Sequence, residues 1–212
     1  MRKNFTLRYI KLTVGPVEEN CFILWSENRR QGVIIDPGAE PERILKAVQE
    51  EGLEIERIIN THCHVDHVGA VGKIQQKLGV PFYIHKRDEL FLEDIEEKAI
   101  FFGIEDVVPP QVTGYLEGEE ILEVAGLELR VIHTPGHTPG GLCFLVQDHL
   151  FSGDTLFAGS IGRADFEGGS LEELMESIRR RILPLGDHVR VLPGHGPDTT
   201  MGREKRTNLF IS

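Results

Sequence analysis

The chain is poor in cysteine, in basic charge and in long apolar runs, and each shortage removes a class of protein. Its three cysteines, Cys21, Cys63 and Cys143, are odd in number and scattered through apolar stretches. That pattern excludes a disulfide framework and suits reduced, buried thiols in a cytoplasmic protein. No apolar stretch approaches the roughly 20 residues that a membrane span requires. The N-terminus, Met1-Arg2-Lys3-Asn4-Phe5-Thr6-Leu7-Arg8, has neither the apolar core nor the small-residue cleavage site of a secretory signal. Lys and Arg number 23 against 34 Asp and Glu, for a net charge of −11. Such a surface repels polyanions, which disfavours nucleic acid as a partner. Linkers, low-complexity runs and short-period repeats are also missing. What remains is an ordinary globular composition, 40% hydrophobic and 27% charged over 212 residues, enough for one sizeable core.

Strand signals come first. Phe5, Leu7 and Tyr9 alternate with polar residues, and Cys21–Trp25 and Val33–Ile35 are short apolar runs, the second punctuated by Asp36-Pro37-Gly38. Pro41 opens a helix with Ile44, Leu45 and Val48 on one face and Gly52 as its stop. Ile55–Ile59 reads as a buried strand running into Thr61-His62-Cys63-His64. Val68, Val71, Ile74 and Leu78 form the stripe of a helix that ends at Gly79. Pro81–Ile84 follows as a strand, Arg87–Ala99 as an acidic helix, and Phe101–Gln111 as a loop. The second half repeats the theme with strands at Glu119–Val124, Leu127–His133, Leu142–Val146, His149–Phe151 and Val189–Leu192. Between the last two, Ser170 and Glu173 form a capping box ahead of Leu171, Leu174, Met175, Ile178 and Ile182. Two similar halves of this kind predict an α/β sandwich, two sheets face to face with helices outside.

The chemistry concentrates in His62-Cys63-His64-Val65-Asp66-His67. At an extended strand end, residues two apart point to one side, so His62 and His64 can share a metal ion. Where the chain turns into the helix, Asp66 and His67 can face the same cavity and serve a second ion. Imidazole and carboxylate suit zinc, iron or manganese, and the lack of a cysteine ligand fits a catalytic site better than a closed structural one. Three further elements lie at strand ends beside Gly or Pro: Thr134-Pro135-Gly136-His137-Thr138, Ser152-Gly153-Asp154-Thr155 and Pro193-Gly194-His195-Gly196. His137, Asp154 and His195 complete seven candidate ligands, enough for two metals with a shared carboxylate. Cys63 points the other way along the strand and packs. His85, His133, His149 and His188 read as surface or supporting groups.

These residues resemble the metallo-β-lactamase fold along essentially the whole chain, and the match to its H-x-H-x-D-H signature is complete. Within it, the run Phe151-Ser152-Gly153-Asp154-Thr155-Leu156-Phe157 through Gly162-Arg163 resembles the short, single-domain members of the glyoxalase II (hydroxyacylglutathione hydrolase) group. The resemblance implies a four-layer αββα sandwich. It assigns His62, His64 and His137 to one divalent metal and Asp66, His67 and His195 to the other, with Asp154 and a water bridging them. Asp66 and Asp154 are then the catalytic carboxylates, and zinc is the first expectation for both ions, with iron or manganese as alternatives. Arg163 stands where the family places a cationic substrate contact; a salt bridge to Asp165 is the competing reading. Glyoxalase II enzymes also carry a helical C-terminal domain that helps bind glutathione. This chain ends soon after His195, so the expectation is a single domain, 1–212, without it, in which the basic tail Thr199–Arg206 adds an anion contact.

The implied reaction is hydrolysis of a small-molecule thioester, an acyl-glutathione such as S-lactoylglutathione. Two ions sharing Asp154 lower the pKa of a bridging water toward ~7, and a thiolate leaves without a strong general acid. The alternative within the fold is a persulfide dioxygenase, with one iron held by two histidines and an aspartate and glutathione persulfide as substrate. A secreted β-lactamase fits less well, since its commonest form carries Cys where Asp154 stands.

Overall fold

A computed structural model describes residues 5–211; the first four residues of the N-terminal stretch considered above lie outside it, as does Ser212. The first sheet has β1 (Leu7–Val14), β2 (Glu19–Ser26), β3 (Gln31–Ile35), β4 (Glu54–Ile59), β5 (Phe82–Ile84) and β6 (Gly114–Tyr115), in that order across the sheet. Its first three strands are antiparallel and its last four run parallel. Helices α1 (Pro41–Glu50), α2 (Val65–Val68), α3 (Val71–Leu78) and α4 (Ile95–Phe102) belong to this half. The second half has β7 (Ile121–Val124), β8 (Leu127–His133), β9 (Leu142–Val146), β10 (His149–Gly153), the hairpin β11 (Leu156–Phe157) and β12 (Ser160–Ile161), α5 (Leu171–Ser177), β13 (Arg190–Pro193), β14 (Thr199–Thr200) and α6 (Met201–Thr207). Its main sheet runs β14–β13–β10–β9–β8–β7.

The period of two along each central strand builds the layers. In β2, Cys21 and Ile23 pack toward the first helical layer with Ile34, Ile44, Ile58 and Ile74, whereas Phe22 and Leu24 point between the sheets. There they meet Ile35, Ile59, Phe144 and Phe151. In β9 and β10 the neighbours of those inward residues, Cys143 and Leu150, face the second helical layer with Leu174, Ile178 and Val191. Helix, sheet, sheet and helix therefore stack as the expected αββα sandwich. Each fully buried Phe or Ile on these faces stabilises the stack by about 1.5–3 kcal/mol.

Three local expectations change. The acidic helix over Arg87–Ala99 is instead a 3₁₀ turn, Lys86–Leu92, followed by α4, because Asp94 adopts a left-handed conformation (φ 53°) that breaks the run. Phe101 and Phe102, assigned to a loop, complete α4, and Gly103 stops it. The helix over Val68–Leu78 is split into α2 and α3. The basic tail forms α6, capped by Thr200, whose hydroxyl accepts from Arg203 N–H.

Strand direction positions the site. β3 and β4 run parallel in one sheet, and β8, β10 and β13 point the same way in the other. The segments leaving their C-terminal ends carry Asp36, His62–His67, His137, Asp154 and His195. A cross-sheet bond from Leu142 N–H to the Thr61 carbonyl (2.7 Å) joins the halves beside these segments. Ligand-bearing crevices form outside the carboxyl ends of strands for this reason.

Candidate metal centre

His62 lies at the end of β4, His64 at the turn, and Asp66 and His67 in α2, so one short segment delivers four side chains. The segment is packed backbone to backbone: a Cβ on Gly38 would come within 1.6 Å of the Asp66 carbonyl oxygen, so only glycine fits there. From the second half come His137 on the β8–β9 loop, Asp154 after β10 and His195 after β13. The seven residues singled out from sequence converge. His62, His64 and His137 each offer a ligand atom, all within 4.8 Å of one another, and Asp66, His67 and His195 do the same. Asp154 lies between the groups. One of its carboxylate oxygens is 3.5 Å from His67 Nε2; the other is 3.6 Å from His137 Nε2 and 3.8 Å from His195 Nε2.

Four imidazoles are anchored through Nδ1, which turns Nε2 to the centre. His137 Nδ1 donates to the Arg163 carbonyl (2.6 Å) and His195 Nδ1 to the Val17 carbonyl (3.1 Å). His67 Nδ1 donates to Asp36 Oδ2 (3.1 Å), and His62 Nδ1 meets Thr61 Oγ1 at 3.1 Å. Asp36 also accepts from Thr61 N–H (2.7 Å) and from the Thr61 hydroxyl. Sequence reading treated Asp36 as turn punctuation, and its partners 25 and 31 residues away are what give it this role. Glu19 was missed as well: it is buried 3.8 Å from His67 Nδ1, and desolvation, with Asp36, Asp66 and Asp154 nearby, raises its pKa far above the usual carboxylate range.

The residues fit a metal ion. His62 Nε2, His67 Nε2 and Asp154 Oδ1 are buried with no hydrogen-bond partner, a condition that costs about 1–3 kcal/mol per group. His64 Nδ1 and His137 Nε2 face each other at 3.0 Å. One of that pair must carry a proton unless a cation lies between their lone pairs. A third combination, Asp36 with His62 and His67, also brings ligand atoms together, but both Asp36 oxygens are engaged behind the histidines.

Burial, with His137 beside it, pushes His64 down to about 3, and burial with the neighbouring imidazoles lowers His62 far below its usual value. Burial also works against charge on His67, but Asp154, Asp66 and the bonded Asp36 outweigh it and raise His67 to about 9. Burial opposes ionisation of Asp66 too, yet His67 and His195 hold it well below the usual range. In the metal-free protein His62 and His64 are therefore neutral at pH 7 while His67 is charged. A ligand must shed its proton to bind, so the sign of the linkage is fixed. Zinc binding at pH 7.5 is expected to release at least about one proton per chain, and the apparent affinity to rise about tenfold per unit from pH 7 toward 9 and then level off. Calorimetry in buffers of different ionisation enthalpy measures this; heats independent of buffer would contradict it.

Around the three-histidine group stand Phe91, 5.2 Å from the His64 ring, and Phe166, 5.6 Å from it. The Arg163 guanidinium lies 4.2 Å over the Phe166 ring and makes two hydrogen bonds to Asp165 (2.9 and 2.8 Å). The ion pair considered for Arg163 is thus present, on an exposed loop whose backbone carbonyl at Arg163 also accepts from His137 Nδ1. In the tail, Lys205 bonds Asp187 (2.7 Å), and Glu204 is buried against Gly159 and Asn208.

Residues 14–195 match the profile of the metallo-beta-lactamase superfamily. The chain belongs to that superfamily. A relative from Haemophilus influenzae, the hydroxyacylglutathione hydrolase GloC, is 38% identical over 95% of this chain and 96% of its own. Among solved structures, the BLEG-1 B3 metallo-beta-lactamase superposes with a TM-score of 0.89 at 34% identity, covering 97% of this chain and 100% of that one. TTHA1623, solved in a di-iron-bound form, gives 0.85 at 39% identity, covering 95% and 99%. The chain's fold and family are those of the metallo-hydrolase superfamily. Among its described residues no helix is long and apolar enough to cross a membrane.

Proposed function

We propose that the protein is a binuclear, metal-dependent thioester hydrolase acting on a small-molecule acyl-glutathione such as S-lactoylglutathione. The observation that carries this reading is the pair of ligand groups, His62/His64/His137 and Asp66/His67/His195, on either side of Asp154. The name of the GloC relative supports the substrate class. Zinc is the first candidate for both ions; the di-iron TTHA1623 keeps iron in view. Bound divalent ions would supply an activated water near neutral pH and Lewis-acid polarisation of the thioester carbonyl.

The chain's own groups do the rest. Asp154 spans the two halves and fixes where charge accumulates between them. Asp66, kept ionised, presents a carboxylate oxygen 3.2 Å from His195 Nε2 and is an acceptor for a water on that side. The Arg163 and Val17 carbonyls hold His137 and His195 in the tautomer that leaves Nε2 free. Phe91 and Phe166 form apolar walls beside His64 that exclude water from a thioester lying against them, and Arg163 offers a cation for a carboxylate-bearing carrier such as glutathione. A departing thiolate needs no general acid, because thiols ionise near pH 8.5. The buried free thiols Cys21, Cys63 and Cys143 suit a reducing cytoplasm.

Metal analysis of purified protein alongside a substrate panel tests the proposal. Close to two ions per chain and release of free thiol from S-lactoylglutathione are expected. A stoichiometry that stays near one under metal-replete conditions, with oxygen uptake on glutathione persulfide and no thioester cleavage, would replace the hydrolase reading with the dioxygenase one. Cleavage of β-lactams in preference to thioesters would move the substrate class toward that of BLEG-1.

A further inference from the structure

Outside the ligand set, the 3₁₀ turn Lys86–Leu92 places one carboxylate in a fully closed position. Asp88 has no exposed surface, an unusual place for an aspartate unless it is bonded throughout. Its partners come from two loops. One oxygen accepts from the backbone N–H of Cys63 (3.2 Å) and from the Thr138 hydroxyl (2.8 Å); the other accepts from the Gly140 N–H (2.6 Å). Cys63 sits between His62 and His64, and Thr138 directly follows His137. A Cβ at position 140 would lie 2.6 Å from the Asp88 oxygen, so the loop reaches the carboxylate only because Gly140 has none.

We propose that Asp88 is a positioning residue for metal binding: it clamps the His62–His64 segment to the His137 loop and so sets the spacing of the three-histidine group. This rests on the reading that those histidines hold an ion. Only a carboxylate has the acceptor capacity for three donors arriving from two directions. An asparagine of the same shape keeps one acceptor oxygen and turns an NH₂ toward the remaining donors. A glutamate carries an extra methylene into a fully buried site. The clamp bonds the residues directly beside His62, His64 and His137 and none beside His195, so its effect falls first on the three-histidine group.

The test compares wild type, Asp88→Asn, Thr138→Val and His64→Ala. The readouts are zinc affinity by chelator competition and the visible absorption of the cobalt-loaded protein, which reports ligand geometry and which a change in stability alone leaves unaltered. Asp88→Asn is expected to weaken the tighter-measured binding at the three-histidine group about 10–100-fold, the range for removal of a group that orients metal ligands, and to change the cobalt spectrum. Thr138→Val, which deletes one donor and keeps the carboxylate, is expected to shift both readouts the same way by a smaller factor. Wild-type affinity and spectrum in a folded Asp88→Asn, with His64→Ala losing its ion, would overturn the clamp and leave the metal reading standing. Undiminished binding in His64→Ala would overturn both. If Asp88→Asn does not fold, Thr138→Val decides, and unchanged affinity and spectrum there overturn the proposal.

Discussion

Replacing Asp154 by alanine is expected to lower thioester turnover by about three orders of magnitude or more, while the metal-free protein melts within a few degrees of wild type. Asp154 is the carboxylate that lies within 4 Å of imidazoles from both ligand groups. On the proposed reading, several kcal/mol of transition-state stabilisation would depend on metal charge held beside Asp154, and about 4 kcal/mol is a thousandfold in rate. The fold depends on it much less. One of its oxygens has no hydrogen-bond partner, and it stands among Asp66, Asp36 and Glu19, so its removal relieves like-charge crowding as it loses attraction to His67. Scanning calorimetry with and without zinc separates the two effects: the metal-induced rise in melting temperature should shrink, and the metal-free value should stay. A mutant that keeps its metal and its wild-type rate would remove Asp154 from the mechanism.

Asp36→Ala should do the reverse and strike the fold first. Asp36 is buried, and its two oxygens accept from Thr61 N–H, the Thr61 hydroxyl and His67 Nδ1. Deleting the acceptor strands three donors in the interior beside a charged imidazole. Loss of one member of a buried charged network costs roughly 3–5 kcal/mol, a large share of the about 5–15 kcal/mol that holds a domain folded. Asp36 also adopts a left-handed backbone (φ 51°), which Asp and Asn tolerate and alanine resists, adding about 1 kcal/mol. Urea denaturation of the metal-free protein measures the sum. A loss below about 1 kcal/mol would mean that the three donors find water instead, and that the carboxylate does not brace His67.

The contrast between these two aspartates shows what the chain discloses by itself. Asp154 stands in a Ser-Gly-Asp-Thr run at a strand end and is visible as a ligand type, as are the histidines of the 62–67 segment. The layers are visible too, because Phe22, Ile23 and Leu24 obey a period of two that assigns each to its face. Asp36, Glu19 and Asp88 are not visible. Each is an acidic residue in a turn or a polar stretch, where solvent exposure is the ordinary outcome, and each is buried only because segments distant in sequence close over it. The break in the acidic helix is equally hidden, since a left-handed Asp94 is settled by how α4 packs. Thr200, three residues ahead of Arg203, is by contrast a cap signal legible in the sequence.

The centre takes His62, His64, Asp66 and His67 from one sheet and His137, Asp154 and His195 from the other, across more than half the length of the chain. Neither half of the molecule alone holds a complete group. During synthesis the chain emerges with the first four of these side chains long before the last, and the second group lacks His195 until β13 has been made. An ion that needs the whole set would therefore bind only once the two halves have folded against each other. On the proposed metal reading, occupancy would certify completed folding: by mass action the ion would deepen the native well by RT ln(1 + [M]/Kd), and a cell starved of metal would carry this protein in its less protected form.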